Sequence, residues 1–513
     1  MVEINPWAFL QQAQTTTENR STGRAFRALD SDDNGDGDHE QVALSPDAQA
    51  LLAGPGPTSD GIPSQPKKKW TVLVYADGNT NLEPEMAKKL LDLEGVGSDE
   101  DMNIVVQLAR DPKEGGESPA VNLGSWSGTR RYYVTKDKDG NPSTVDSDVV
   151  AQWGKTDMAD SKSLENFLEW GMKEYPAEHT MVVMAGHGAG PVGVMGDAHG
   201  KKAMSIPDLK AAMLEAEQKA GTGKVDVLTF ESCFMGSTEV ANELKDTAKT
   251  MVASEGRMGK EGLPLGDLLS HMRSMRSDRF ENPRTIARMF VNDTKGNENV
   301  PFLVAVDLEK WESAGVKDAI NDLAGDLFRY GPNVKGRIEN QQRFDHPDIE
   351  PGGDFIDARY MASKMAMYNK NDLPDLYAHA DRVRNALDSV ILAEHSPAAG
   401  VGDGPSQGRL RNASGLSLYL PRNPEDYGKT EHSENYARFN DLYGKLDFAQ
   451  GNDWYPYLQE LQNPSSWAYA DGDAPDRPYG YYRPYGYYRP YGYYRPYGYY
   501  RPYGYYRPIE EKR

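Results

Sequence analysis

The sequence predicts an α/β sandwich built on a mostly parallel central sheet, and three observations predict it. Five short runs are almost wholly apolar and rich in β-branched residues, beginning with Trp70-Thr71-Val72-Leu73-Val74-Tyr75-Ala76. Continuous apolar runs of this kind suit strands covered on both faces, as in a parallel sheet. Helix-like stretches lie between several of them, the alternation that a sheet with crossover connections requires. Glycine-rich or polar turns end key runs, Asp77-Gly78-Asn79 after the first and Gly186-His187-Gly188 after the third.

Taken in order, residues 1–66 are rich in Thr, Ser, Asp, Gly, Pro and Gln and read as a disordered acidic leader. One short helix is expected inside it, from Val42 to Leu52, with Ser45 as N-cap and Pro46 at the first helical position. Residues 67–262 form the core, with strands expected at Trp70–Ala76, Ile104–Leu108, Met181–Ala185 and Val225–Phe230. Helices are expected around Leu164–Trp170, around Pro207–Met213, and from about Ser237 to Asp246. Residues 263–464 form the C-terminal part of the same domain, with strands expected at Phe302–Val306 and Leu416–Leu420 before a segment ending near Leu461.

Residues 465–513 are a low-complexity Pro/Tyr/Gly/Arg tail. Arg-Pro-Tyr-Gly-Tyr-Tyr begins at Arg477, recurs at Arg483, Arg489, Arg495 and Arg501, and closes with Arg507-Pro508. Proline and glycine in every repeat forbid helix and central strand, so the tail is expected to be extended.

Composition narrows the function. The chain has 513 residues, 38% of them hydrophobic, and a mean hydropathy of −0.72. No run of apolar residues is long enough to cross a membrane as a helix, and the N-terminus lacks the basic and apolar regions of a secretory signal. Formal charge is −21; the six arginines of the acid-free repeat leave −27 for the rest. An acidic body of this kind disfavours whole-chain binding to nucleic acid or to an anionic membrane. Cys233 is the single cysteine, which excludes an intrachain disulfide and Cys-rich zinc sites and makes the thiol a candidate nucleophile. Lack of a signal and of disulfides suits the cytoplasm, with export by a non-standard route still open.

The chemistry is expected at two strand ends. Met181–Ala185 runs into Gly186-His187-Gly188, and Val225–Phe230 runs into Glu231-Ser232-Cys233. Ligands bind at the carboxyl ends of parallel strands in open α/β sheets, so a lone cysteine and a glycine-flanked histidine would share one crevice. There they would be a nucleophile and its proton-transfer partner. The N-terminus of the helix after Cys233 would favour a thiolate and supply N–H groups to an oxyanion. The pattern by itself also fits a small buried core cysteine.

Taken together, Trp70 to Glu83, Gly186-His187-Gly188, Glu231-Ser232-Cys233-Phe234-Met235-Gly236-Ser237 with Glu239 to Asp246, Val252-Ala253-Ser254-Glu255, Phe302 to Leu308 and Gly415 to Pro421 resemble the clostripain family of cysteine peptidases. That family belongs to the caspase, legumain and gingipain group, and the resemblance spans roughly residues 68–461. It implies a caspase-like α/β/α sandwich and a cysteine endopeptidase. Cys233 would be the nucleophile and His187 its partner. The N–H groups of Gly188 and Cys233 would form the oxyanion hole. Glu231 stands where the family usually has an aspartate that selects basic P1 side chains, and a carboxylate there suits Arg or Lys. A solvated strand-end acid is the other reading of Glu231. Lys201 and Lys202, between His187 and Cys233, fall where the family commonly cuts itself; they equally fit an ordinary basic surface pair.

The resemblance implies no cofactor for the chemistry, with calcium allowed. Asp30, Asp32, Asn34, Asp36 and Asp38 match positions of a calcium loop, but Gln41 stands where the bidentate Glu belongs, and an acidic disordered run fits as well. Asp197 and His199 would be a second acid/base pair or part of a solvated loop. The tail's Tyr and Arg suit either stacking on a partner or a passive low-complexity segment. The expected function is cleavage after Arg or Lys in peptide substrates; the alternative is a non-catalytic scaffold of peptidase fold acting through its tail.

Overall fold

A computed structural model describes residues 67–113, 124, 126–138, 140–141, 144–197, 202–330, 343–344, 355–369, 371, 373–396, 413–420 and 441–461. The leader (1–66) with its expected helix and calcium loop, and the tail (465–513), lie outside the described residues.

β1 (Lys68–Gly78) is the apolar run that begins order, and it sits in the middle of a nine-stranded sheet. It pairs in parallel with β2 (Met102–Arg110) on one side and β5 (Ala177–Ala185) on the other. Beyond β5 come β8 (Val225–Glu231) and β9 (Ala248–Ala253), also parallel. Both edges reverse. β10 (Leu303–Asp307) runs antiparallel to β9 and carries β13 (Ile391–His395), while β3 (Gly128–Tyr133) runs antiparallel to β2 and carries β4 (Asp148–Trp153). Within this sheet β3 and β10 oppose the other strands, so it is mostly parallel as expected.

Side chains alternate across the pleat and build two cores. Leu73 and Tyr75 of β1 join Phe167, Leu168, Leu209 and Met213, from helices Ser161–Glu174 and Ile206–Ala220. Trp70, Val72 and Val74 join Met86, Leu90, Leu269 and Phe290, from helices Glu83–Glu94, Leu265–Ser274 and Pro283–Asp293. The result is three layers, helices covering both faces of the sheet. Helix starts carry local signals: Asp160, Ser205 and Ser237 each accept a backbone N–H of the first turn. The helix after Cys233 spans Thr238–Leu244, shorter than expected but capped by Ser237.

Two small sheets complete the described chain. β6 (Val194–Asp197) and β7 (Lys202–Met204) form a hairpin between β5 and β8. β11 (Arg343–Phe344), β12 (Phe355–Asp357) and β14 (Ser417–Tyr419) form the other, and Ser417 donates its N–H to the Gly236 carbonyl at 2.9 Å. The sheet crosses the division expected at 262/263, because β10 and β13 continue the pairing that β1 to β9 begin.

Gly171 shows how closely the layers meet. A Cβ there would lie 2.6 Å from Leu73 Cδ2 in the core. Gly171→Val should therefore destabilise the fold by about 1–3 kcal/mol through overpacking, read as a lower denaturation midpoint; an unchanged midpoint would show that this contact has slack.

Candidate active site

The site is made by register. β5 and β8 pair residue for residue up to Ala185 opposite Glu231, and the Gly186 N–H then donates to the Glu231 carbonyl at 3.2 Å. His187 and Cys233 therefore leave the sheet at the same level, each two residues past the last pair. Gly188 closes the remaining distance. A Cβ on it would lie 2.5 Å from the Cys233 carbonyl oxygen and 2.9 Å from Ser232 Cβ, so only glycine lets the two backbones meet.

Each segment is then gripped from behind. His187 gives its carbonyl to the Met195 N–H at 2.8 Å, and Ala189 donates to the Gly193 carbonyl at 2.9 Å. These flanking bonds close the bridge between Gly188 and Val194, so the hairpin ladder does not use the Gly188 N–H. After Cys233 the chain turns through Phe234 at φ 61°, a left-handed conformation unfavourable for an aromatic residue. The turn is held by the Phe234 N–H on the Gly256 carbonyl at 2.9 Å and by stacking of its ring on Phe355.

His187 Nε2 lies 2.7 Å from Asn81 Oδ1, in the turn after β1. With the amide oxygen as acceptor, Nε2 carries the proton and Nδ1 holds the lone pair. Burial, with the positive charge of Lys260 adding to it, lowers the imidazole pKa to about 4. Cys233 Sγ accepts the Met258 N–H at 3.3 Å. Burial pushes the thiol up despite that bond and the Arg257 charge. Burial thus favours the neutral form of both groups, a thiol and an imidazole.

Glu231 departs from the sequence expectation. Its carboxylate is not open to a ligand, nor is it a solvated strand-end acid. It is buried at the end of β8 and ion-paired with Lys89 of the helix Glu83–Glu94, Oε1 to Nζ 2.7 Å. The physical reason is that this helix packs on one face of the sheet and aims Lys89 inward, from the stripe that also carries Met86, Leu90 and Leu93. Asn81 lay in the polar turn Asn79-Thr80-Asn81 after β1, but its contact with His187 depends on β1 pairing with β5. Met258 carried no signal, since it acts through its backbone.

Lys201 and His199 lie outside the described residues. Lys202 opens β7 and Asp197 ends β6, paired across the hairpin. Among the described residues no group of three His, Cys, Asp or Glu is arranged to hold a metal ion, and the candidate calcium loop is not among them.

The model of the clostripain family matches residues 74–460. A relative named clostripain, from Hathewaya histolytica, is 23% identical over 472 residues, which cover 77% of this chain and 85% of the relative. The fold is also found in the X-ray structure of a secreted cysteine protease from Bacteroides thetaiotaomicron, at 14% identity and a TM-score of 0.53 over 77% of this chain and 100% of that one. A protease from Parabacteroides distasonis, described as an inactive zymogen, matches at 17% identity and 0.53 over 76% of this chain and 98% of its own.

The neutral thiol has a measurable consequence. A raised pKa leaves less thiolate at pH 7 than a free cysteine has, so iodoacetamide should alkylate Cys233 slowly there, and the rate should climb only above the ordinary thiol value of about 8.5. A rate profile with its midpoint at or below pH 7 would show a resting thiolate–imidazolium pair instead.

Proposed function

The chain belongs to the clostripain family of cysteine peptidases, and on that premise we propose that it is an endopeptidase cutting after Arg or Lys through Cys233 and His187. The observation that supports the pair is the common level at which β5 and β8 release His187 and Cys233, with Gly188 pressed against the cysteine backbone.

In this mechanism the Cys233 sulfur attacks the scissile carbonyl carbon while its proton passes to His187 Nδ1. Because the resting groups are neutral, proton transfer accompanies attack rather than preceding it. The carbonyl oxygen becomes an oxyanion that takes the N–H groups of Gly188 and Cys233. The C–N bond breaks as His187 returns the proton to the leaving amine, giving a thioester. Water, deprotonated by His187, then releases the acid and restores the thiol. Asn81 keeps Nε2 protonated throughout, so the same nitrogen serves both half-reactions. A thiol nucleophile needs no cofactor for this chemistry.

A basic P1 residue would be received by Glu231, two residues before the nucleophile, provided it displaces the Lys89 ammonium. Self-processing after Lys201 would cut the β6–β7 connection, and after Lys202 the first bond of β7, while β5 and β8 stay paired in the large sheet, leaving two chains held together.

Fluorogenic peptides with Arg or Lys at P1 test the reading. Cys233→Ala and His187→Ala should each lower kcat/KM by at least about 10³-fold with the fold intact. Asn81→Ala should lower kcat by about tenfold or more and leave KM near its wild-type value, because it frees the ring to take the wrong tautomer. Mass spectrometry should find a cut after Lys201 or Lys202 in wild type that is missing in Cys233→Ala. Basic-peptide hydrolysis surviving Cys233→Ala would reject the mechanism.

A further inference from the structure

Lys89 is unusually placed for a lysine. Its Nζ lies 2.7 Å from Glu231 Oε1, 2.6 Å from the Leu263 carbonyl and 3.2 Å from the Glu261 carbonyl. The two carbonyls accept hydrogen bonds and Glu231 makes a close ionic contact, so the ammonium is held from three directions. The two side chains are 3% and 2% exposed. Burying such a pair is a poor way to stabilise a fold, since well-packed apolar residues of the same size do as well or better. The pair therefore calls for a reason beyond stability.

Three observations supply one. Glu231 ends the strand that delivers Cys233, so whatever neutralises its charge lies beside the nucleophile. The segment roofing the carboxylate is also the one touching the sulfur: the Met258 N–H meets Sγ, and Gly262, at φ +62°, leaves so little room that a Cβ would lie 2.2 Å from Glu231 Oε1. Finally, both oxygens of Glu231 are buried and neither has a hydrogen bond among the described residues, although Oε1 touches Lys89, which leaves the carboxylate open to a hydrogen-bonding cation such as a forked guanidinium. Lys89 also has somewhere to go, because it borders a cavity of about 180 Å³ lined as well by Glu85, Asp92 and Glu261, whose three carboxyls outnumber the one other cation there, Lys88.

We infer that Lys89 is the specificity-determining residue at this site, an internal ammonium occupying the place of a P1 lysine on Glu231, which a basic substrate must push into the neighbouring acidic cavity. This rests on the reading of Glu231 as the P1 acid. Binding of a basic residue is thereby opposed by an internal competitor, and the opposition falls on KM rather than on the chemical step. A neutral P1 residue gains nothing from displacing Lys89 and leaves it in place.

Two measurements test this. Lys89→Met removes the ammonium and keeps the stem; matched peptides differing only in lysine or norleucine at P1 should show the kcat/KM ratio rising at least about tenfold towards lysine, through KM. The double variant Lys89→Met with Glu231→Gln is neutral on both sides and should bring that ratio close to one. The second measurement uses wild-type protein, so it stands even if Lys89→Met fails to fold. Peptidyl ketones that alkylate Cys233 are bound with lysine or norleucine at P1, and exposed amines are then reductively methylated and located by mass spectrometry. Lys89 should be methylated only in the lysine complex. Lys89 protected in both complexes, or an unchanged ratio in a folded Lys89→Met, would overturn the inference and leave the peptidase reading standing. Failure of both ketones to modify Cys233 would overturn the peptidase reading and this inference with it.

Discussion

The constraint on which the site depends is the register between β5 and β8. Met181 faces Val227 and each following pair holds to Ala185 opposite Glu231. A slip of one residue would turn every side chain of a strand to the opposite face. Here both faces are buried: Val182, Met184, Leu228 and Phe230 belong to one core, and Met181, Val183, Ala185 and Val227 to the other. With apolar residues on both faces a slip would exchange one apolar set for another, so the close packing of these differently shaped side chains selects the register, and the register fixes how His187 and Cys233 emerge. The Gly188 contact with Cys233 is possible only in that alignment.

Behind the Cys233 turn the fold uses buried carboxyls as anchors. Glu255 accepts the Gly415 N–H at 2.9 Å, and Glu239 accepts the Tyr419 N–H at 2.8 Å and the Tyr443 hydroxyl at 3.0 Å. Burial holds both carboxyls above the ordinary range. These bonds, with the Ser417 N–H on the Gly236 carbonyl, tie residues more than 150 positions later in the chain to the segments either side of the Cys233 turn. The C-terminal part of the domain is therefore a buttress of the site rather than an appendage. Lys89 of the helix Glu83–Glu94 meets Glu231 and the carbonyls of Glu261 and Leu263, in the segment that follows Met258. The charged and polar groups lie in the supports, while thiol and imidazole are left neutral between them.

How much of this was legible in the sequence follows from where each signal resides. β1, β2, β5, β8 and β10 are covered on both faces, and burial writes itself into a continuous apolar run. β3 and β4, Gly-Thr-Arg-Arg-Tyr-Tyr and Asp-Val-Val-Ala-Gln-Trp, gave no such run, because the edge of a sheet keeps polar residues and β4 is largely exposed. β9 begins with Ala-Lys-Thr, and β13 follows directly on the helix Pro374–Val390 with no breaker between them. His187 and Cys233 were visible because each follows a buried strand. Asn81 and Lys89 were not visible as site residues, because their contacts with His187 and Glu231 cross the order in which β2, β1, β5 and β8 lie in space, and no local pattern encodes that order. The partner of Glu231 was hidden for the same reason: position along the chain located the carboxylate, but only the packing of the helix Glu83–Glu94 reveals Lys89 against it.

The strain in the backbone agrees with this placement. Among the described residues, Met195 and Phe234 are the non-glycine positions in the left-handed region, at φ 57° and 61°. Met195 holds the carbonyl of His187, and Phe234 immediately follows Cys233. Each such conformation costs on the order of 1 kcal/mol and persists only where its surroundings over-determine it. Met195 is buried in the same apolar cluster as Phe234, and Phe234 is stacked on Phe355 of β12. Core packing thus sustains two unfavourable turns, and both flank the pair whose geometry they set. Local rules are broken where the chain makes a sharp change of direction at the end of a strand, and are kept through the strands that lead there.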